Sequence, residues 1–387
     1  MRICILSVIH EPFDKRVYHK IGLSLAAAGH DIVCICPPPG QGGKPALQDG
    51  RDSHGIRFAL TRTANSLPRR FLAAMHLVRL GCRERADVYL APEPESWAAA
   101  LAVKLLRGGK VVLDMHEHIP SEFAKFFPGF MRGFMQALTI LMMRLMARFT
   151  DLIILTRESF EELWKGLAVP RVTVINTNRL QPMCPEVPAA LRERFAGCPV
   201  IIHQGIFGET RGAYQLLAAV QLLVTEFPAL RCVVLGEYIY GSLDAFRARI
   251  HELGLDENMV LIPTVPFEEV PGHISVAQVG LILFQPGQIN HTLAMPHKLF
   301  DYMREARPVV APDFAVEVSR IVREADCGIL VDVTRPEAIA AAVSGLLKDR
   351  EEAARLGRNG RRIIEEKYHW QREEKVLLDA IAALEAR

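Results

Sequence analysis

The hydrophobic positions of this chain follow two periods in alternation. Short, near-continuous apolar runs such as Arg2–Val8 and Asp31–Cys36 read as strands buried on both faces. Between them, Lys15–Ala28 repeats at helical spacing. Val17, Ile21, Leu25 and Ala28 make its apolar stripe, and Lys15, Arg16, His19 and Lys20 its polar side. Asp14 is placed to cap this helix and Gly29 to end it. Further strands are predicted at Arg57–Leu60, Asp87–Ala91, Lys110–Met115, Asp151–Thr156 and Val172–Asn176, with helices between them. Strand–helix–strand order of this kind implies a parallel sheet with right-handed crossovers. Residues 178–199 then lose all periodicity and carry Pro182, Pro185, Pro188 and Pro199, which marks a boundary. A second series opens with a strand at Val200-Ile-Ile-His-Gln204, a glycine-bearing loop and a helix through Phe227. Its later strands are predicted at Arg231–Glu237, Val260–Pro263, Val279–Phe284, Pro308–Pro312 and Gly328–Asp332. Helices at Pro336–Leu347, Glu351–Tyr368 and Trp370–Leu384 close the chain.

The length of 387 residues suits two domains, each with its own core. A net charge of only +2 does not indicate a nucleic-acid partner. No uncharged run reaches the roughly 18 residues that a spanning helix needs, and Met1–Ser7 reads as a strand, not as a signal peptide. The cysteines fall mostly inside apolar strands (Cys4, Cys34, Cys36, Cys232), as small buried thiols of a reducing compartment do.

One stretch differs from this regular background. Phe126–Phe149 is rich in Phe, Leu and Met and is interrupted by Arg132, Arg144 and Arg148. The expectation for the helix itself is core packing in the first domain, with methionine as gap-filler. The alternative is a helix lying in a membrane interface, helped by Arg69, Arg70, Arg79, Arg83 and Arg85.

Candidate chemistry gathers at strand ends. After the Val279 strand, Pro296 opens a helix in which Lys298 and Asp301 share a face. A helix start beyond a strand's C-terminal end is an anion site, and Lys298 adds a cation to it. The plain alternative is an ordinary i,i+3 ion pair. After the Val200 strand, Gly205, Gly208 and Gly212 keep a loop open, and Arg211 stands at the next helix entrance, where a guanidinium can fork onto a diphosphate. His116 and Glu117 end the Lys110 strand. A histidine hydrogen-bonded at a strand end is the bland reading there, and His116 with His118 as a metal pair is the weakest.

The segment Pro296-His-Lys-Leu-Phe-Asp-Tyr-Met303, followed by Arg307-Pro-Val-Val-Ala311, resembles the donor-site segment of GT-B glycosyltransferases of family 4, the group 1 glycosyl transferases. Gln204-Gly205 and Arg211-Gly212 resemble the family's phosphate loop. The resemblance covers nearly the whole chain. It implies two doubly wound, Rossmann-like α/β domains facing a cleft: an acceptor-side domain at 1–180, a nucleotide-sugar domain at 198–367, and a final helix, 368–387, returning to the first. It implies transfer of a sugar from a UDP- or GDP-sugar with retention, to a glycan or lipid-linked acceptor, in cell-surface polysaccharide synthesis, without metal or cofactor. His116, Arg211 and Lys298 would carry the catalysis. Gly205, Arg211, Lys298, Asp301 (ribose), Pro266 (nucleobase) and Glu237 would hold the donor. Two departures stand out. Ile206 occupies the place of a customary arginine, and Leu293 that of the first carboxylate of a Glu-x7-Glu motif; Asn290, His291 and Thr292 are the substitutes for that carboxylate, and Glu117 is a further candidate sugar contact. A nucleotide-sugar 2-epimerase or a non-catalytic binding protein of the same fold are the rival readings. The expected location is cytoplasmic, or peripheral on the inner face of the plasma membrane through 126–149.

Overall fold

The computed structural model describes residues 1–38, 50–61, 67–184 and 186–386, so Pro185 of the proline-rich boundary lies outside the described residues. The chain divides into two compact units. One is Met1–Asn176 with Trp370–Arg387, and the other is Thr177–His369.

The first unit is built on seven parallel strands: β1 (Arg2–Leu6), β2 (Asp31–Cys36), β3 (Arg57–Leu60), β4 (Val88–Ala91), β5 (Lys110–Met115), β6 (Leu152–Leu155) and β7 (Arg171–Thr173), in the order β3-β2-β1-β4-β5-β6-β7. Both faces are covered, which is why these strands are apolar runs and not alternating ones. The order reverses between β1 and β4.

The helix after β1 departs from the expected stripe. Its first turns, Val17–Gly22, are π-helical, and Leu23–Ala27 continues as α-helix. The Asp14 carboxylate caps it by accepting from the backbone N–H groups of Arg16 and Val17, both at 2.8 Å. Wider π turns shift the face that meets the sheet. Arg16, Lys20 and Ser24 are therefore buried beside Val17, Ile21 and Leu25, while Ala28 is exposed. The assignment of Arg16 and Lys20 to a solvent face was wrong for that reason.

Helix Trp370–Glu385 packs in this same unit. Trp370, Leu377, Ile381 and Leu384 join the core formed by β1, β2 and the helix after β1. Trp370 Nε1 donates to Ser24 Oγ at 3.1 Å, and the backbone N–H of Ile175 donates to Glu373 at 2.6 Å.

The second unit repeats the plan with β8 (Val200–Gln204), β9 (Phe207–Gly208), β10 (Arg231–Leu235), β11 (Tyr238–Tyr240), β12 (Met259–Ile262), β13 (Val279–Leu281), β14 (Val309–Pro312) and β15 (Gly328–Val331). Six of them form a parallel sheet in the order β12-β10-β8-β13-β14-β15, reversing between β8 and β13. The other two, β9 and β11, pair with each other and tie the loop after β8 to the loop after β10. The boundary segment is not wholly irregular, because Ala189–Arg194 forms a short helix.

The stretch 126–149 overturns the expectation of core packing. Helix Arg132–Ala147 buries only Met143 and Ala147. Phe130 is 88 % exposed, Phe134 and Phe149 are each 67 %, and Leu141 is 56 %. No helix among the described residues is long and apolar enough to cross a membrane.

Candidate functional site

In open α/β sheets, ligands bind beyond the carboxyl ends of the strands where strand order reverses. Each unit has one such point, and each carries a cluster of polar side chains there.

In the second unit the cluster is built by the loops after β8 and β13. Pairing of β13 ends at Gly280 with β8 and at Leu281 with β14, and after the Ile282 N–H donates to the Val310 carbonyl at 3.0 Å the chain leaves the sheet through Leu283 and Phe284. Helix His297–Arg304 is rooted at the gap by Tyr302. The phenol accepts from the Gln204 N–H at 2.9 Å and faces the carbonyls of Ile202 at 3.2 Å and Leu281 at 3.3 Å. Its ring lies directly on Gly280, where an added Cβ would come within 2.4 Å of it. One turn earlier on this helix, Lys298 is turned inward and is 7 % exposed.

Arg211 reaches the same place from the other loop. It ends the short turn Glu209–Arg211, and Gly212 at φ +82° starts helix Ala213–Leu223. A Cβ at Gly212 would meet the Leu283 carbonyl at 2.5 Å, so only glycine lets the loop sit this close to the β13 exit. The Arg211 guanidinium carbon stands 4.5 Å from the centre of the Phe284 ring, and Lys298 Nζ stands 5.8 Å from it. A Cβ at Gly205, whose φ is +91°, would come within 3.8 Å of Lys298 Cε. Neither cation forms an ion pair among the described residues, and Arg211 Nε is buried without a partner. Burial and the charge of Arg211 together hold the Lys298 amine well below the usual lysine range. Its Nζ is 2.8 Å from Nε2 of the fully buried His203.

In the first unit the cluster follows β1, β4 and β5. His116 Nε2 meets the carboxylate of Asp114 at 2.5 Å. Asp114 is fully buried and receives Arg16 through Nε at 3.0 Å and Nη2 at 2.7 Å. Burial opposes the charge on Asp114, but Arg16 and His116 outweigh it and hold the carboxyl below the usual range. The loop after β1 is organised by Glu93. Its carboxylate accepts from the Ser7 hydroxyl, from the N–H of Ile9 at 3.1 Å and from Ser96 Oγ at 2.6 Å. His10 is held there by Asp14 at 3.1 Å, with its ring 5.2 Å from that of His116, edge to face. Burial opposes a charge on His10, yet the Asp14 hydrogen bond and the charges of Glu93, Asp14 and Asp114 raise its pKa overall.

Two family models match. The model of glycosyl transferases group 1 covers residues 193–363, and that of the glycosyl transferase 4-like domain covers residues 15–178. The chain belongs to the group 1 glycosyltransferases. Spore coat protein SA of Bacillus subtilis is 24 % identical over 187 residues, 47 % of this chain and 48 % of that protein. A GDP-mannose-dependent α-(1-6)-phosphatidylinositol monomannoside mannosyltransferase of Mycolicibacterium smegmatis is 26 % identical over 202 residues, 51 % of each. The chain thus spans about half the length of the curated relatives it matches. Sucrose-phosphate synthase from Thermosynechococcus elongatus superposes with a TM-score of 0.77 at 16 % identity, over 100 % of this chain and 99 % of that one. Anabaena HepE in complex with UDP-glucose gives 0.75 at 15 % identity, over 99 % and 100 %. The fold is GT-B.

In this group 1 glycosyltransferase the structure gathers Gly205, Arg211 and Lys298 around Phe284. His291 joins them, stacked on the Phe284 ring at 5.3 Å and held by the Gln285 carbonyl at 2.7 Å. Asn290 and Thr292 lie on the same short helix, Ile289–Thr292, and both are half-buried. Glu237 is exposed and lines a neighbouring cavity of about 370 Å³ at the ends of β10 and β12, whose lining includes Pro263 but not Pro266. Asp301 is not presented to that space. It is 1 % exposed, accepts from Asn178 Nδ2 at 2.7 Å and lies 3.6 Å from Arg304. A carboxylate one methylene shorter than glutamate stays within reach of these neighbours. His116 sits in the first unit, and Glu117 beside it is exposed. His118 caps helix Ile119–Ala124 through Ser121.

Sequence reading missed Asp114, Glu93, His203 and Phe284. Only Glu93 left a local signal, because Glu93-Pro94 with Ser96 forms a capping box at a helix start.

Proposed function

We propose that this chain is a retaining glycosyltransferase that moves a sugar from a UDP- or GDP-sugar onto a glycan or lipid-linked acceptor, in cell-surface polysaccharide synthesis. One observation carries the reading: two basic side chains with no ion pair among the described residues, Arg211 and Lys298, converge on Phe284 at the second sheet's reversal point. Positive charge at the half-buried Arg211 and the buried Lys298 is costly until an anion completes the site.

In this reading the donor diphosphate lies against Arg211 and Lys298 at the start of helix His297–Arg304, where free N–H groups favour negative charge. Gly205 lets the backbone approach it. The cavity at β10 and β12 takes the nucleobase beside Glu237, and His291 with Asn290 and Thr292 faces the sugar. As the bond between the anomeric carbon and the diphosphate breaks, charge grows on the leaving phosphate. Fixed cations stabilise that charge more in the transition state than in the ground state. The acceptor hydroxyl attacks from the face the diphosphate leaves, and its proton passes to the departing phosphate oxygen. No protein nucleophile is needed. His116, fixed by Asp114 and Arg16, is the catalytic candidate of the first unit, and that unit takes the acceptor. That HepE is described with UDP-glucose and the M. smegmatis relative with GDP-mannose supports keeping both nucleotides open.

The exposed apolar face of 126–149 fits the surface of an anionic membrane. Phe130, Phe134, Leu141 and Phe149 would enter the acyl boundary, and the exposed Lys125, Arg132 and Arg148 would meet anionic headgroups. This would hold the enzyme to the inner face of the plasma membrane, near a lipid-linked acceptor.

Incubation with UDP- and GDP-sugars, with and without lipid-linked acceptors, tests the function. Extended acceptor with retained anomeric configuration is expected. An isomerised donor formed without acceptor would favour the epimerase, and binding without turnover would leave a carrier of nucleotide-sugars.

A further inference from the structure

Lys298 and His203 face each other at the floor of the site just described. Nζ of Lys298 lies 2.8 Å from Nε2 of His203, and the same imidazole nitrogen lies 3.4 Å from the carbonyl of Ile206 in the loop after β8. The other ring nitrogen, Nδ1, is buried without a partner among the described residues. A neutral imidazole nitrogen either donates or accepts, so two proton arrangements fit this geometry. In one, Lys298 is an ammonium donating to Nε2, and His203 carries its proton on Nδ1. In the other, Lys298 is a neutral amine accepting from Nε2–H, which also faces the Ile206 carbonyl.

The surroundings choose between them. Arg211 on the loop after β8 and Asp301 on the lysine's own helix are the charged groups that bear on the amine. Asp301 is already engaged by Asn178 and Arg304. Burial and Arg211 hold Lys298 well below the lysine range, and burial and Lys298 hold His203 well below the histidine range. Lys298 is 7 % exposed, forms no ion pair among the described residues and shares the Phe284 ring with the Arg211 guanidinium, so the empty site weakens its hold on the proton. An anion beside Nζ reverses that weakening.

We propose that binding of the donor diphosphate is coupled to uptake of one proton by the Lys298–His203 pair, with His203 as the positioning residue that holds the lysine in both states. This rests on the donor-site reading above. The proton comes from solvent and adds to Lys298 Nζ. The imidazole stays neutral and exchanges its own proton from Nε2 to Nδ1, so one proton in all is gained. The empty protein avoids a bare buried ammonium, and the cation is formed where the leaving group needs it. Because the loaded pKa of Lys298 lies above the empty one, donor affinity is lost as pH rises between them, by about tenfold per pH unit.

The test is calorimetric titration of the full chain with UDP-glucose, GDP-mannose and ADP-glucose, in buffers of different ionisation enthalpy. These diphosphate diesters carry no group of their own that titrates near neutral pH. Uptake of about one proton per donor bound is expected. Lys298→Arg keeps a cation that cannot lose its proton, so it should bind donor with no uptake. His203→Gln offers a fixed amide oxygen to the ammonium, and should cut the uptake and flatten the pH dependence. Donor binding by the native protein without proton uptake, or unchanged uptake in Lys298→Arg, would overturn the coupling and leave the donor site standing. Failure of all three donors to bind would overturn the donor site, and the coupling with it.

Discussion

Replacing Asp114 by asparagine tests how the first unit holds His116. Asparagine keeps the shape but removes the charge that faces Arg16, whose side chain is 3 % exposed and contacts Asp114 through Nε and Nη2. Its other hydrogen bond among the described residues goes to the carbonyl of Val174 at 3.1 Å, and the carboxylate of Glu373 also feels its charge. Breaking one side of a buried ion pair costs about 3–5 kcal/mol, against a total stability of about 5–15 kcal/mol for a typical domain. All three tryptophans, Trp97, Trp164 and Trp370, lie in the first unit and are fully buried. Tryptophan fluorescence during urea unfolding therefore reports on that unit alone. With a slope of about 2–3 kcal/mol per molar urea, the midpoint should fall by roughly 1–2.5 M. The apolar pair Arg16→Met with Asp114→Leu should recover most of the loss, because it also removes two desolvation penalties. The pH dependence has a fixed sign. Asp114 has a depressed folded pKa, so its contribution is complete above the ordinary carboxylate value of about 3.9 and fades as pH falls into the depressed range. An Asp114→Asn midpoint equal to that of the native protein would refute the claim that this pair anchors the site.

Tyr302→Phe should strand the Gln204 N–H and destabilise the second unit by about 1–3 kcal/mol, read from the amide exchange of β8 and β13. Asp301→Ala should lower the stability of that unit, seen as earlier thermal unfolding by calorimetry, more than it raises donor KM, because its carboxylate holds Asn178 and lies against Arg304. Flotation with anionic vesicles should carry the protein at low salt and release it at high salt, and Phe130→Ser with Phe134→Ser should abolish the association.

The two parallel sheets were legible because strands covered on both faces must be apolar throughout, and the breaks between them carry glycine and proline. The positions of Gly205 and Arg211 in the loop after β8, and of Lys298 at the start of the helix that follows β13, came from the same reading, since such segments succeed strands in this architecture. What stayed hidden is pairing over distance. Arg16 and Asp114 are 98 residues apart, Lys298 and His203 are 95, and Asn178 and Asp301 are 123. Helical periodicity placed Arg16 and Lys20 on a solvent face because it assumes 3.6 residues per turn, and the π turns at Val17–Gly22 violate that assumption. The 126–149 helix was misjudged for a different reason. An apolar helix looks the same in sequence whether protein or something else covers it.

The central claim is that Arg211 and Lys298 hold the donor's diphosphate, and steady-state kinetics of Arg211→Ala and Lys298→Ala with the preferred nucleotide-sugar test it most directly. A charge-assisted contact is worth roughly 1.5–3 kcal/mol, so each substitution should slow transfer by about ten- to a hundredfold or more. Because charge on the leaving diphosphate grows in the transition state, kcat should fall more than donor KM rises. Full activity in both variants would mean that the diphosphate is held elsewhere.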